Sequence, residues 1–117
     1  MYYASLYENT NKSENYRLYL SADVMRLIPD VEWVKMFKHK GHIVIAPVRD
    51  DFPERRHLIY RQDRKFGQIS LNRLVTDGTI PKRYFGNKYK VKKDKMRNIY
   101  VCLDEPIGGD ADNAAAL

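Results

Sequence analysis

Two stretches of the sequence, Leu18-Tyr19-Leu20-Ser21 and Ile69-Ser70-Leu71-Asn72, each begin one copy of a repeated pattern, and this repeat is the main indication of the fold. Each alternates apolar and polar residues as a strand does, and each ends in a residue type that caps helices. A short helix-compatible segment follows each stretch, then an Ile-Pro pair (Ile28-Pro29 and Ile80-Pro81), then a segment predicted as a β-hairpin. The repetition predicts a duplicated strand–short helix–hairpin unit whose two halves complete one another's core.

The expected architecture is mainly β with short helices, a small β-barrel built from the duplicated unit. Residues 1–103 form one compact β-rich domain, with half-units at about 16–48 and 67–103. The charged segment 49–56 links the halves. Residues 104–117 form an acidic tail that is expected to be disordered from Glu105 onward, because large apolar residues are sparse there.

Local signals refine this expectation. Ser21 is predicted to cap the first short helix, and Asn72 is predicted to cap the second. The segments Val31–Phe37 and His42–Pro47 are apolar and are predicted to pair as a hairpin that is buried on both faces, with Trp33 inside.

Length and composition limit the class of protein. The chain has 117 residues, a formal net charge of +6 and 44% hydrophobic residues, which fits a single folded domain. Its apolar runs, about six residues at most, are too short to span a bilayer, and its first residues do not resemble a secretory signal. The single cysteine, Cys102, has no partner for an internal disulfide. A cytoplasmic protein without a membrane partner is therefore expected.

The positive charge is concentrated in one segment. Residues 82–97 contain eight basic side chains and one acidic side chain, whereas residues 104–117 contain four acidic side chains. Three roles are open for the tail. It is an inert end, it folds back on the basic segment and competes with phosphate, or it contacts a partner. The basic segment is the most specific functional signal in the chain.

Three lysines in this segment alternate with other residues. Lys88, Lys90 and Lys92 would project from one face of a strand about 6–7 Å apart, near the phosphate spacing of a nucleic-acid strand. Lys93, Lys95 and Arg97 would extend this strip around the hairpin tip. Alternatively, the lysines would protect an exposed edge strand from aggregation.

A family resemblance rests on two segments. Residues Arg17-Leu18-Tyr19-Leu20-Ser21-Ala22-Asp23-Val24-Met25-Arg26 through His42-Ile43-Val44-Ile45-Ala46-Pro47 resemble one half-barrel of the AbrB/MazE/SpoVT swapped-hairpin family. Thr79-Ile80-Pro81-Lys82-Arg83-Tyr84-Phe85-Gly86, followed by Tyr89-Lys90-Val91, is similar to parts of a second copy. Two copies in one chain would be similar to the tandem MraZ arrangement.

The resemblance implies DNA binding. The family's basic positions match Arg17 and Arg26 in the first copy and Lys82 and Arg83 in the second. It also places the second short helix within residues 79–86, whereas the internal repeat places it earlier, at Asn72–Asp77, and both placements stay open at this point.

Together these signals predict a small basic nucleic-acid-binding protein of regulator type, with DNA favoured over RNA, that acts as a dimer or pseudo-dimer. The alternative is a protein-interaction module, such as a phage- or plasmid-type inhibitor, that binds an acidic partner surface and uses Tyr16 and Tyr19. A subunit of an RNA-handling complex is a third hypothesis. Tyrosines of the N-terminal hairpin would stack on single-stranded bases, bind a protein, or simply favour strand structure; they are Tyr2, Tyr3, Tyr7, Tyr16 and Tyr19.

Catalytic and metal-binding patterns are weak. The three histidines, His39, His42 and His57, are not accompanied by a carboxylate cluster, and the acidic residues of segment 49–56 are better interpreted as a charged linker. No phosphate-binding glycine loop or nucleophile motif occurs. The sequence therefore nominates no enzyme, cofactor or metal site.

Overall fold

The computed structural model describes residues 1–9, 15–61 and 66–107. Antiparallel strands dominate it, with two short α-helices and one 3-10 helix. In chain order the elements are β1 (Tyr3–Asn9), β2 (Asn15–Leu20), α1 (Ala22–Met25), β3 (Trp33–His39), β4 (His42–Pro47), β5 (Arg56–His57), β6 (Ile59–Arg61), β7 (Phe66–Ser70), α2 (Asn72–Thr76), the 3-10 helix (Lys82–Tyr84), β8 (Asn87–Lys93) and β9 (Ile99–Ile107).

The strands form one sheet that nearly closes on itself. Their order is β5-β3-β4-β9-β8-β1-β2-β7-β6, and each neighbouring pair is antiparallel. The two outermost strands, β5 and β6, are separated in the chain by Leu58 alone, so the ends of the sheet lie at one seam. The predicted mainly β, barrel-like fold with short helices is confirmed.

The pairing pattern shows that the two halves are related. β2 pairs with its counterpart β7, and Leu18 lies opposite Ile69, which is the equivalent residue of the repeat. β4 likewise pairs with its counterpart β9. β1 bridges β2 and β8, while the segment of β5 and β6 bridges β3 and β7. Each half therefore completes the sheet of the other within one chain.

The core lies inside this sheet and comes from alternate positions of the strands. Leu18, Ile43, Ile69, Ile99 and Val101 are fully buried and belong to one apolar cluster. Burying side chains of this size contributes about 1.5–3 kcal/mol each, so these positions fix the register of the strands.

The two short helices differ in how they begin. The Ser21 hydroxyl accepts a hydrogen bond from Val24 N, which confirms the predicted cap of α1. The prediction for Asn72 is wrong, because Leu71 precedes α2 and Asn72 is its first residue. The Asn72 side chain instead accepts a hydrogen bond from the backbone N–H of Tyr16 at 2.6 Å, which joins the two halves. The 3-10 helix at Lys82–Tyr84 lies where the family resemblance placed the second helix, so both placements contain a helical turn.

Two other expectations need correction. β4 is buried at its four central residues, but β3 is not buried on both faces: Trp33 is half-buried and Phe37 is 42% exposed. Trp33 and Phe37 lie on the opposite face of β3 from the buried Val34, which points to the core, so they belong to the outer side of the sheet. β9 extends to Ile107, so Glu105–Ile107 is ordered strand rather than disordered tail, and residues 108–117 lie outside the described residues.

Candidate nucleic-acid interface

The lysine row, defined as Lys88, Lys90 and Lys92, lies on the outer side of β8. All three residues are exposed, whereas Tyr89 and Val91 between them are buried. β8 pairs with β1 on one side and β9 on the other. The alternative that these lysines protect a sheet edge is therefore wrong, because β8 is an interior strand.

A carboxylate from the neighbouring strand lies between two of the lysines. Glu105 Oε1 is 3.8 Å from Lys90 Nζ, and Glu105 Oε2 is 3.4 Å from Lys92 Nζ. The hydrogen bond from Lys92, together with the positive charge of both lysines, holds the pKa of Glu105 below its usual value of 4.5. The lysine row thus already binds one anionic group of the protein itself.

An irregularity in the sheet places this carboxylate. Tyr89 lies opposite Pro106, but the next residue, Lys90, lies opposite Cys102. The three residues of β9 between these partners are accommodated at the register shift, as in a β-bulge. Bulges redirect side chains, and the residues accommodated at this shift include Glu105, whose carboxylate contacts the lysine row.

The turn after β8 contains a hydrogen-bond network centred on Asp94. The Asp94 carboxylate accepts hydrogen bonds from the backbone N–H groups of Met96 and Asn98 and from the Tyr100 hydroxyl, at 2.8–2.9 Å. Burial raises the pKa of Asp94, but the hydrogen bonds outweigh it and lower the pKa below 3.8. This network fixes the tip of the β8–β9 hairpin.

The predicted residues at this tip have different environments. Lys93 and Lys95 are exposed. Arg97 adopts a positive φ of 65° and its guanidinium forms an ion pair with Asp30 at 2.9 Å. Arg97 therefore connects the hairpin tip to the other half of the chain, and its charge is already paired.

Lys82 and Arg83 precede β8 on the 3-10 helix, and both are exposed. The Lys82 ammonium lies 5.7 Å from the centre of the Tyr16 ring, and the Arg83 guanidinium lies 4.8 Å from the centre of the Tyr84 ring. These cation–π contacts leave the charges at the surface, near the start of the strand that carries the lysine row.

Arg17 and Arg26 lie elsewhere. Arg17 is half-buried on β2, with β1 between it and β8. Arg26 is exposed at the end of α1, which packs against β7, and it forms an ion pair with Asp23. The structure brings neither arginine onto the strand of the lysine row.

The two tyrosines predicted to bind a partner also differ. Tyr16 is 3% exposed and packs edge-on against Phe85 at 4.9 Å, so its ring offers no surface to a partner. Tyr19 is half-buried on the outer side of β2, beside Tyr7 at 4.7 Å and Phe66 at 5.1 Å. Alternation along β2 gives the two tyrosines different environments, since they are three residues apart.

Residues with metal-binding or redox chemistry are dispersed. Among residues 1–9, 15–61 and 66–107, no group of three or more His, Cys, Asp or Glu side chains is arranged to hold a metal ion. Cys102 is fully buried, and this burial raises the pKa of its thiol. His57 stacks on Trp33 at 4.8 Å, at the seam of the sheet.

Sequence reasoning did not identify the paired position of Glu105, which it assigned to a disordered tail. One signal was available, since Ile107 is in phase with Ile99, Val101 and Leu103, which indicates that the strand extends through Glu105. No protein-family model, curated protein or solved structure matches the chain. No helix within the described part of the chain is long and apolar enough to cross a membrane.

Proposed function

We propose that the protein binds nucleic acid, with DNA as the preferred partner, by placing the lysine row against the phosphate backbone. The observation that carries this proposal is the Glu105 carboxylate between Lys90 and Lys92, because it marks a position where an anionic oxygen is held. A phosphate oxygen has the same charge and accepts the same hydrogen bonds. The family resemblance to DNA-binding proteins points to the same partner and stays a prediction.

The geometry suits a backbone rather than a single ion. Alternate residues of a strand are about 6–7 Å apart, so the backbone positions of the three lysines repeat at about the spacing of consecutive phosphates. Lysine is a flexible point charge that contacts phosphate without reading sequence. Exposed Asn87 and Arg83, just before the row, are side chains of the types that read bases.

A titration at two salt concentrations tests this proposal. Fluorescence anisotropy with labelled duplex DNA, single-stranded DNA and RNA at 50 and 200 mM salt measures the affinity for each probe. Three lysines offset by the Glu105 carboxylate amount to about two net phosphate contacts, which predict roughly a 7- to 12-fold loss of affinity between these concentrations. Absence of a complex at 50 mM salt, or an affinity that does not depend on salt, would contradict the proposal.

A second candidate function is binding to an acidic protein surface, and the same carboxylate favours it, because Glu105 is a protein acid. Tyr19, which stays on the surface, would then contribute an aromatic contact. Poly-glutamate added to the titration distinguishes the two functions. If poly-glutamate displaces the nucleic acid when both polymers are present at equal concentrations of charge, the result would support the protein partner. If displacement requires a large excess of poly-glutamate, the result would support nucleic acid.

A further inference from the structure

Beside the lysine row lies a groove of about 500 Å³ on the outer surface of the sheet. Its walls include the aromatic rings of Tyr3, Tyr19 and Phe66, and Ser5 and Lys88 also line it. Sites for small planar ligands have volumes of about 300–1,000 Å³ and mostly apolar walls with a few polar groups. The groove therefore has the size and lining that a nucleobase needs.

The sequence of β1 explains why a groove forms here. Ser5 lies between Lys88 of β8 and Tyr19 of β2 in the antiparallel register. Along β1 it lies between Tyr3 and Tyr7, which share its face of the strand. A small side chain surrounded by four long ones leaves a depression, and Leu20, Ser21 and Asp23 line its other side.

The aromatic wall is held in place before any ligand arrives. The Tyr19 ring is 5.1 Å from Phe66 at an interplanar angle of 61°, and it is 4.7 Å from Tyr7. The hydroxyl groups of Tyr7 and Tyr19 are 2.7 Å apart and share a hydrogen bond. Rings that are already oriented lose little conformational entropy when a base stacks on them.

Lys88 belongs both to the groove and to the lysine row. Its ammonium lies 4.7 Å from the centre of the Tyr3 ring, at one wall of the groove. From there Lys90 and Lys92 continue along β8 on the same face. In a nucleic-acid strand each base is joined through its sugar to the phosphate backbone. A base that occupies the groove would therefore place the neighbouring phosphates along the lysine row.

We propose that this groove binds one base of a single-stranded nucleic acid whose phosphates follow the lysine row. This inference rests on the proposed function and adds the form of the nucleic acid and a site for its base. In a duplex the bases are paired and stacked inside the helix, so a duplex presents only its backbone to the protein. A flexible single strand can turn one base into the groove.

The test compares strands with and without bases. Oligomers of thymidine, of uridine and of abasic sugar-phosphate, each about 10 nucleotides long, are titrated by anisotropy against the wild-type protein. Stacking of one base predicts roughly a 5- to 150-fold higher affinity for the base-carrying strands. The tighter of the thymidine and uridine strands identifies the preferred pyrimidine nucleotide, and a preference for either over the abasic strand supports the groove.

Two variants locate this preference. Ser5→Phe fills the groove and should abolish the preference for bases while retaining the affinity for the abasic strand. Ser5→Thr adds only one methyl group to the groove and should therefore keep a preference for base-carrying strands over the abasic strand, in contrast to Ser5→Phe. Thermal unfolding by circular dichroism checks that both variants fold, and the abasic comparison on the wild-type protein needs no variant.

Failure of this inference differs from failure of the proposed function. Equal wild-type affinities for abasic and base-carrying strands would overturn the groove but leave phosphate binding in place. A folded Ser5→Phe protein that keeps the preference for bases would also overturn it. Absence of binding to every strand at low salt would instead contradict the proposed function.

Discussion

Replacing Glu105 by Gln should increase the affinity for nucleic acid. The wild-type carboxylate lies 3.8 Å from Lys90 Nζ and 3.4 Å from Lys92 Nζ, so a phosphate that approaches these lysines must displace it. Gln has nearly the same shape but carries no charge. The substitution therefore restores one positive charge to the row and leaves the strand intact.

The size of the effect follows from counterion release. Each additional phosphate contact adds about 0.7 (single strand) to 0.9 (duplex) to the slope of log affinity against log salt. One restored charge predicts an affinity about five- to eightfold higher at 0.1 M salt, and the difference should vanish near 1 M. A short-range contact without a change in charge would give a difference that does not depend on salt.

The assay is an anisotropy titration of wild type and Glu105→Gln from 0.05 to 0.5 M salt. Asp104→Asn is the matched control, because Asp104 is an exposed neighbour on β9 and its replacement changes the net charge equally. The control should increase affinity by less than the Glu105 variant. Equal increases would show that net charge alone matters, and no increase in either variant would refute the contact of phosphate with this part of the row.

Three further predictions concern stability and reactivity. Gly67→Ala should destabilise the fold by about 1–2 kcal/mol in urea unfolding, because the new Cβ would clash with the side chain of Met25, which is buried in the core and has little room to move, and unchanged stability would contradict this packing. The pKa of Asp94 is lowered, so its stabilising contribution is present above about pH 4 and is lost as the pH falls below 3.8. Asp94→Asn should flatten this part of the pH profile, and an identical profile would argue against the turn network. The Cys102 thiol should react with a disulfide reagent about tenfold or more slowly in the native state than in urea, and equal rates would contradict its burial.

The repeat pattern was sufficient to predict the fold class. Leu18 and Ile69 occupy equivalent positions, and in the structure they face each other across the sheet. Period-two alternation predicted that Lys88, Lys90 and Lys92 share the outer face of β8. The shared face of the lysines is a local consequence of strand geometry, and the repeat identifies the two equivalent strands, so both features can be recognised in a single sequence.

The remaining features depend on tertiary contacts that local patterns do not encode. The Asn72 side chain binds the backbone N–H of Tyr16, which is distant in the sequence. The Glu105 carboxylate is paired with two lysines of a neighbouring strand. Tyrosine is common at both buried and exposed positions of strands, so the residue type does not predict the burial of Tyr16. Its ring is buried in a packing that includes Phe85, which is distant in the sequence. The sequence therefore predicted the positive charge of the candidate site, but it did not predict the contact with Glu105 or the groove beside the lysine row.

The salt dependence of binding by two triple variants tests the role of the lysine row most directly. One variant replaces Lys88, Lys90 and Lys92 by Gln, and the control replaces the exposed residues Lys38 and Arg49 by Gln and Lys40 by Asn. Both variants remove the same net charge. The three lysines and the adjacent Glu105 carboxylate together carry a net charge of about two, so we expect the row variant to reduce the slope of log affinity against log salt by about 1.4–1.8, while the control keeps the wild-type slope. Equal reductions in both variants, or an unchanged slope in the row variant, would contradict phosphate binding by the lysine row.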